Sequence, residues 1–105
     1  MKPIVLTATA VAATPVAAMN IHSPTFAVGF GVAVTGTVTY TVQHTFDDVY
    51  APTFSPGSAT WYSHPIVQSQ SASMDGNYAF PVRGIRVNLT AGTGSVIATL
   101  IQAGI

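Results

Sequence analysis

Apolar and polar residues alternate along most of this chain, which is the period of a β-strand. Between residues 26 and 34, Phe26, Val28, Phe30, Val32 and Val34 share one face, while Ala27, Gly29, Gly31 and Ala33 share the other. The first set predicts a core face. The second carries almost no side chain, which lets another backbone or a neighbouring subunit approach closely. Residues 37–46 repeat the pattern, with Val38, Tyr40, Val42, His44 and Phe46 opposed to Thr37, Thr39, Thr41, Gln43 and Thr45. Threonine forms strands well and keeps a hydroxyl, so this second face can be wet without being charged.

Residues 83–90 alternate again, and Ala91-Gly-Thr-Gly-Ser95 has turn chemistry. Residues 96–102 then return, which predicts a hairpin. Asp75-Gly76 predicts another turn, before a short strand over residues 77–80 that Pro81 stops. Shorter strands are predicted over residues 4–10, 15–19 and 59–63, with loops over 47–58 and 64–73. No window has the i, i+3, i+4 spacing of an amphipathic helix. The sum is about eight short strands, an all-β single-domain antiparallel β-sandwich or jelly roll over residues 1–105.

Composition sharpens this. Of 105 residues, 6% are charged: Lys2, Arg83 and Arg86 against Asp47, Asp48 and Asp75, for a net charge of zero. A free monomer usually carries a net charge of about 2–8 in magnitude. The surface therefore reads as one that other protein covers. Three cations are too few for a phosphate-binding face, which argues against nucleic acid. Met1-Lys2 followed by an apolar stretch ending Val16-Ala17-Ala18 has the outline of a secretory signal. Thr7, Thr9, Thr14 and Pro15 interrupt it, and it is shorter than the ~20 apolar residues of a membrane helix. We read it as a structural strand, with no membrane partner.

Little here points to catalysis. Cysteine and glutamate are absent, so acid–base chemistry would fall to three aspartates and three histidines. The spacing of His22, His44 and His64 does not match common zinc sites, and no Gly-x-Ser-x-Gly elbow occurs. His44, on an apolar face, reads as a hydrogen-bonded core or edge histidine, and His64 as a turn residue before Pro65. Asp47-Asp48 could contribute to a calcium site, although a turn with local backbone hydrogen bonds explains the pair more simply. Asn88-Leu89-Thr90 matches a glycosylation sequon inside a predicted strand. Arg83 and Arg86, three apart on a strand, fall on opposite faces, and one of them is expected to pair with Asp47, Asp48 or Asp75. Tyr50, Phe54, Trp61 and Tyr62 are aromatics outside the strongest strands, suited to a protein interface, a sugar ring or the core. No catalytic residue, metal ligand, cofactor or small-molecule substrate is expected.

Two stretches, FAVGFGVAVTGTVTYTVQHTFDDV over residues 26–49 and DGNYAFPVRGIRVNLTAGTGS over 75–95, flank Trp61-Tyr62-Ser63-His64-Pro65. Together they resemble small all-β structural proteins of tailed-bacteriophage virions, similar to the jelly-roll decoration or cement proteins of mature heads. The Ala-rich start departs from that pattern. The resemblance implies a capsid-surface location after synthesis in the host cytoplasm, self-association as a homotrimer, and the major capsid protein as partner. Met1, Lys2, Pro3, Ile4, Tyr50, Phe54, Trp61 and Tyr62 are the expected contact residues. A tail, neck or fibre-associated module, or a small carbohydrate-binding β-sandwich, are the alternatives.

Overall fold

A computed structural model describes residues 4–19, 27–49, 51–55, 57–78 and 81–102. Among these there are nine strands and no helix: β1 (Ile4–Ala8), β2 (Ala12–Ala13), β3 (Ala17–Ala18), β4 (Val28–Thr35), β5 (Val38–Thr45), β6 (Tyr62–Ser63), β7 (Met74–Tyr78), β8 (Gly84–Gly92) and β9 (Ser95–Gln102). They form two antiparallel sheets. Sheet A has the order β1-β9-β4-β7, and sheet B the order β2-β8-β5-β6, with β3 also pairing β8.

The pairing is nested. The first strand pairs with the last, β2 and β3 with β8, β4 with β7, and β5 with β6. The nest is then rolled so that β4 meets β9 and β5 meets β8. That is the strand order of a jelly roll. Since β2 and β3 share one place beside β8, the nine strands occupy eight positions, as the alternation predicts. The Ala-rich start closes one side of both sheets. β1 pairs with β9, and Thr14 and Met19 donate backbone N–H groups to the carbonyls of Val87 (2.8 Å) and Arg83 (3.0 Å).

Alternation puts the core where it was expected. Val28, Phe30 and Val32 of β4, Val38, Tyr40 and Val42 of β5, Ile85, Val87 and Leu89 of β8, and Val96, Ala98 and Leu100 of β9 are all buried. Phe26 lies outside the described residues. Phe46, expected on the core face, follows the end of β5 and is 50% exposed.

Two turn expectations fail. The stretch from Gly92 to Gly94 does not make β8 and β9 a hairpin, because those strands belong to different sheets. It is an arch that carries the chain across the sandwich. A matching arch at Gly36 joins β4 to β5. The two arches touch backbone to backbone. A Cβ on Gly94 would lie 2.0 Å from the Thr35 carbonyl oxygen, and one on Gly92 (φ +106°) would lie 2.1 Å from that of Thr37. Only glycine permits this approach. The physical reason is plain: two apolar faces can lie side by side or face each other, and alternation reads the same either way. Asp75-Gly76 is no turn either. Both residues lie inside β7, and Gly76 pairs with Phe30. The Phe30 ring fills the space a Cβ on Gly76 would need, 2.8 Å away.

The expected wet face of β5 is also largely roofed. Thr41 and Thr45 are buried. The Ser69 N–H donates to Thr41 Oγ1 (2.9 Å), and Thr45 Oγ1 donates to the Thr60 carbonyl (2.8 Å). Val16 and Val49 close over Gly84 on the same outer side.

Candidate functional site

The two outer faces therefore differ. Sheet B is partly covered by its own loops, while sheet A is open among the described residues. Along β4 the outward positions are Gly29, Gly31 and Ala33, and a Cβ on Gly29 or Gly31 would meet nothing within 4 Å. Across the sheet, Gly31 lines up with Thr99 of β9 and then Val5 of β1, Ala33 with Ile97 and Thr7, and Gly29 with Ile101. Val5 is 59% exposed, Ile97 44% and Ile101 53%. These side chains form a ridge beside the glycine floor. A shallow trough of about 520 Å³ lies over Gly31 and Ala33, between Ile97 and Thr99 of β9 and Met74 and Asp75 of β7. Asp75 is the single charge on this face among the described residues. Such a surface gains by losing water, and among its described residues only Asp75 is an ionic group whose desolvation would oppose it.

Val5, Ile97 and Ile101 were not among the expected contact residues. A signal for two of them was present: residues 96–101 read Val-Ile-Ala-Thr-Leu-Ile. That near-continuous apolar run is typical of strands apolar on both faces.

Among the expected contacts, Met1, Lys2, Pro3 and Tyr50 lie outside the described residues. Ile4 is partly buried and packs against the core. Phe54 is half-buried in the 47–60 loop, where its N–H donates to the Ala51 carbonyl (2.9 Å). Trp61 is half-buried on the outside of sheet B, with the Arg86 guanidinium carbon 4.0 Å from its ring centroid. Arg86 also donates from Nε to Gln43 Oε1 (2.8 Å). Burial pulls the Arg86 pKa down from the usual arginine value. Tyr62 is 51% exposed. Its ring lies 5.8 Å from that of Phe46, and both stand against His44. The structure thus sets Phe54, Trp61 and Tyr62 in separate surroundings and does not gather these three into one site.

The acidic residues have local tasks. Asp47 Oδ2 accepts the Thr60 N–H (2.9 Å), closing the loop. Asp48 makes the ion pair with Arg83 (3.3 Å), as the charge count anticipates. No cluster of three metal-ligating side chains occurs among the described residues.

The histidines sit deeper, where β7 closes over the far edge of sheet B. His22 lies outside the described residues. His44 is buried and shares a 2.9 Å hydrogen bond between its Nδ1 and the Tyr78 hydroxyl. Burial first, and then the nearby His64, lower the His44 pKa from 6.5. Burial likewise raises that of Tyr78. His64 binds backbone at both ring nitrogens. The two imidazoles flank Tyr78, each with a ring centroid 5.0 Å away.

Compared with known protein families, curated proteins and solved structures, the chain matches none of them.

Proposed function

We propose that this protein is a non-catalytic structural subunit of a bacteriophage virion, a decoration (cement) protein that binds across subunits of the major capsid protein on the mature head. The observation that carries this reading is the open face of sheet A, with Val5, Ile97 and Ile101 exposed beside the Gly29–Gly31 floor. A flat sheet face bearing one charge suits another protein surface better than water or a small polar ligand. Its mechanism is binding alone. Each contact stabilises the assembled shell by mass action, and self-association, as the trimer common among such subunits, multiplies weak contacts. A sugar-stacking role has less support, because Arg86 occupies one face of Trp61.

The test is co-sedimentation of the purified protein with expanded heads that lack it. The parent protein should pellet with the heads. Ile97→Lys combined with Ile101→Lys should abolish pelleting while leaving the circular dichroism spectrum and unfolding midpoint unchanged, since both side chains are exposed. A parent protein that stays in the supernatant overturns the proposal. Density for the chain at the tail or neck in cryo-microscopy of virions would move it to the tail-module alternative.

A further inference from the structure

Two buried histidines play no part in that binding face, and their hydrogen bonds point to a separate role. His64 is 4% exposed. Its Nδ1 accepts the backbone N–H groups of Ile66 (3.2 Å) and Val67 (3.1 Å). Two donors aimed at Nδ1 put the ring proton on Nε2, which donates to the Asn77 carbonyl of β7 (3.1 Å). One neutral imidazole thus shapes residues 64–67 and ties them to the facing sheet. This segment in turn borders β5. Tyr40 and Gln70 exchange both backbone hydrogen bonds at 2.9 Å, Val42 donates to the Val67 carbonyl (3.0 Å), and the His64 N–H donates to the Val42 carbonyl (2.8 Å).

A proton on Nδ1 would face the two N–H groups that Nδ1 now accepts. Both hydrogen bonds would be lost and replaced by repulsion between donors. Among the described residues nothing nearby compensates. β5 presents His44, β7 presents Tyr78, and β4 presents the Phe30 ring at 5.3 Å; Tyr62 of β6 stacks behind His44. No carboxylate lies within ion-pair distance of His64 among the described residues. A charge on His44 would add like-charge repulsion across Tyr78, consistent with the lowering that His64 exerts on the His44 pKa.

We propose that His64 and His44 form an acid-operated latch: their protonation releases residues 64–70 from β5 and β7 while the rest of the jelly roll holds, leaving residues 40–42 of β5 as an uncovered sheet edge beyond its remaining pairing with β6. The latch belongs to the fold and is independent of which partner meets sheet A.

Amide hydrogen exchange by NMR between pH 7.5 and 5, corrected for intrinsic rates, tests this on the intact chain. Protection of Ile66, Val67, Tyr40 and Val42 should fall as pH drops across this range, by up to roughly tenfold per pH unit for each proton taken up. Ala98 and Leu100 of β9 should keep theirs. His64→Asn keeps an acceptor near the Nδ1 position and cannot be protonated, so the slope of log protection against pH should drop by one. An unchanged slope in that variant, pH-independent protection in the parent, or simultaneous loss in β9 overturns the latch. The ¹⁵N imidazole spectrum of the parent gives a readout that does not depend on a variant folding. His64 should show the Nε2–H form at pH 7.5, and a proton should appear on its Nδ1 only together with the loss of Ile66 and Val67 protection. Titration with those amides still protected would refute it.

Discussion

Replacing a glycine with alanine at two places should have opposite effects on stability. At Gly92 the added methyl carbon would lie 2.1 Å from the Thr37 carbonyl oxygen and 2.6 Å from the Val38 Cα, on a backbone with φ of +106°. The obstacles are backbone atoms. They cannot swing aside, because Gly92 and Val38 are partners in the β5–β8 ladder and Thr93 also donates to the Thr37 carbonyl (3.0 Å). Positive φ costs an L-residue about 1–2 kcal/mol, and forced overpacking adds about 1–3 kcal/mol. Gly92→Ala should therefore lose about 2–5 kcal/mol. At Gly29 the methyl meets nothing within 4 Å. There the restricted unfolded chain dominates, and Gly29→Ala should gain about 0.4–1 kcal/mol. Urea unfolding followed by Trp61 fluorescence and far-ultraviolet circular dichroism measures both. With a slope of about 1–2 kcal/mol per molar, the Gly92→Ala midpoint should fall by roughly 1–5 M, and that of Gly29→Ala should rise by roughly 0.2–1 M. A Gly92→Ala protein within about 0.5 kcal/mol of the parent would refute the close contact of the arches. A Gly29→Ala protein losing more than about 1 kcal/mol would refute the open floor of sheet A.

Other expectations follow from the buried polar groups and the surface pair. The His44 pKa is lower folded than unfolded, so the unfolded chain binds more protons as pH drops through the ordinary histidine range. Its contribution to stability is full above about pH 6.5 and is lost as pH falls toward the folded value, at no more than about 1.4 kcal/mol per pH unit. Urea midpoints between pH 8 and 5 check the sign, and a midpoint that rises on acidification contradicts it. Tyr78→Phe removes the hydroxyl hydrogen-bonded to His44 Nδ1 (2.9 Å) and should cost about 1–3 kcal/mol; a neutral result would mean that bond contributes nothing. The Arg83–Asp48 pair has side chains 40% and 54% exposed, so a double-mutant cycle should give a coupling of no more than about 1 kcal/mol, weakening with added salt.

How much was legible in the sequence depended on the range of the physics involved. Strand positions follow from side chains alternating against one core, and β4, β5 and β8 lie close to their predicted places. What joins them is decided elsewhere. Asp75-Gly76 resembles a turn until Phe30, far off in the chain, is seen to need the space above Gly76. The Thr face of β5 looks solvated until residues 60 and 69 are seen to bind it. For the site, the shortage of charge signalled a sparsely charged surface, on which Asp75 is the single charge among the described residues, and Gly29 and Gly31 marked where its floor lies. The ridge of Val5, Ile97 and Ile101 was hidden because apolar residues in a strand are first assigned to the core. Which face stays open is settled by where the loops of the other sheet fold, and no short-range pattern records that.

The nested pairing also bears on how the chain is made. Ile4 finds its partner in Leu100, so β1 waits for a strand synthesised about ninety residues later. At about 5–20 residues per second that interval is roughly 5–20 s. Throughout it, β1 is an uncharged β-forming segment whose strand partner has not yet been made. Pairing of such distant strands is also intrinsically slow. Translation speed and chaperone supply should therefore govern the soluble yield of this protein more strongly than its final stability does.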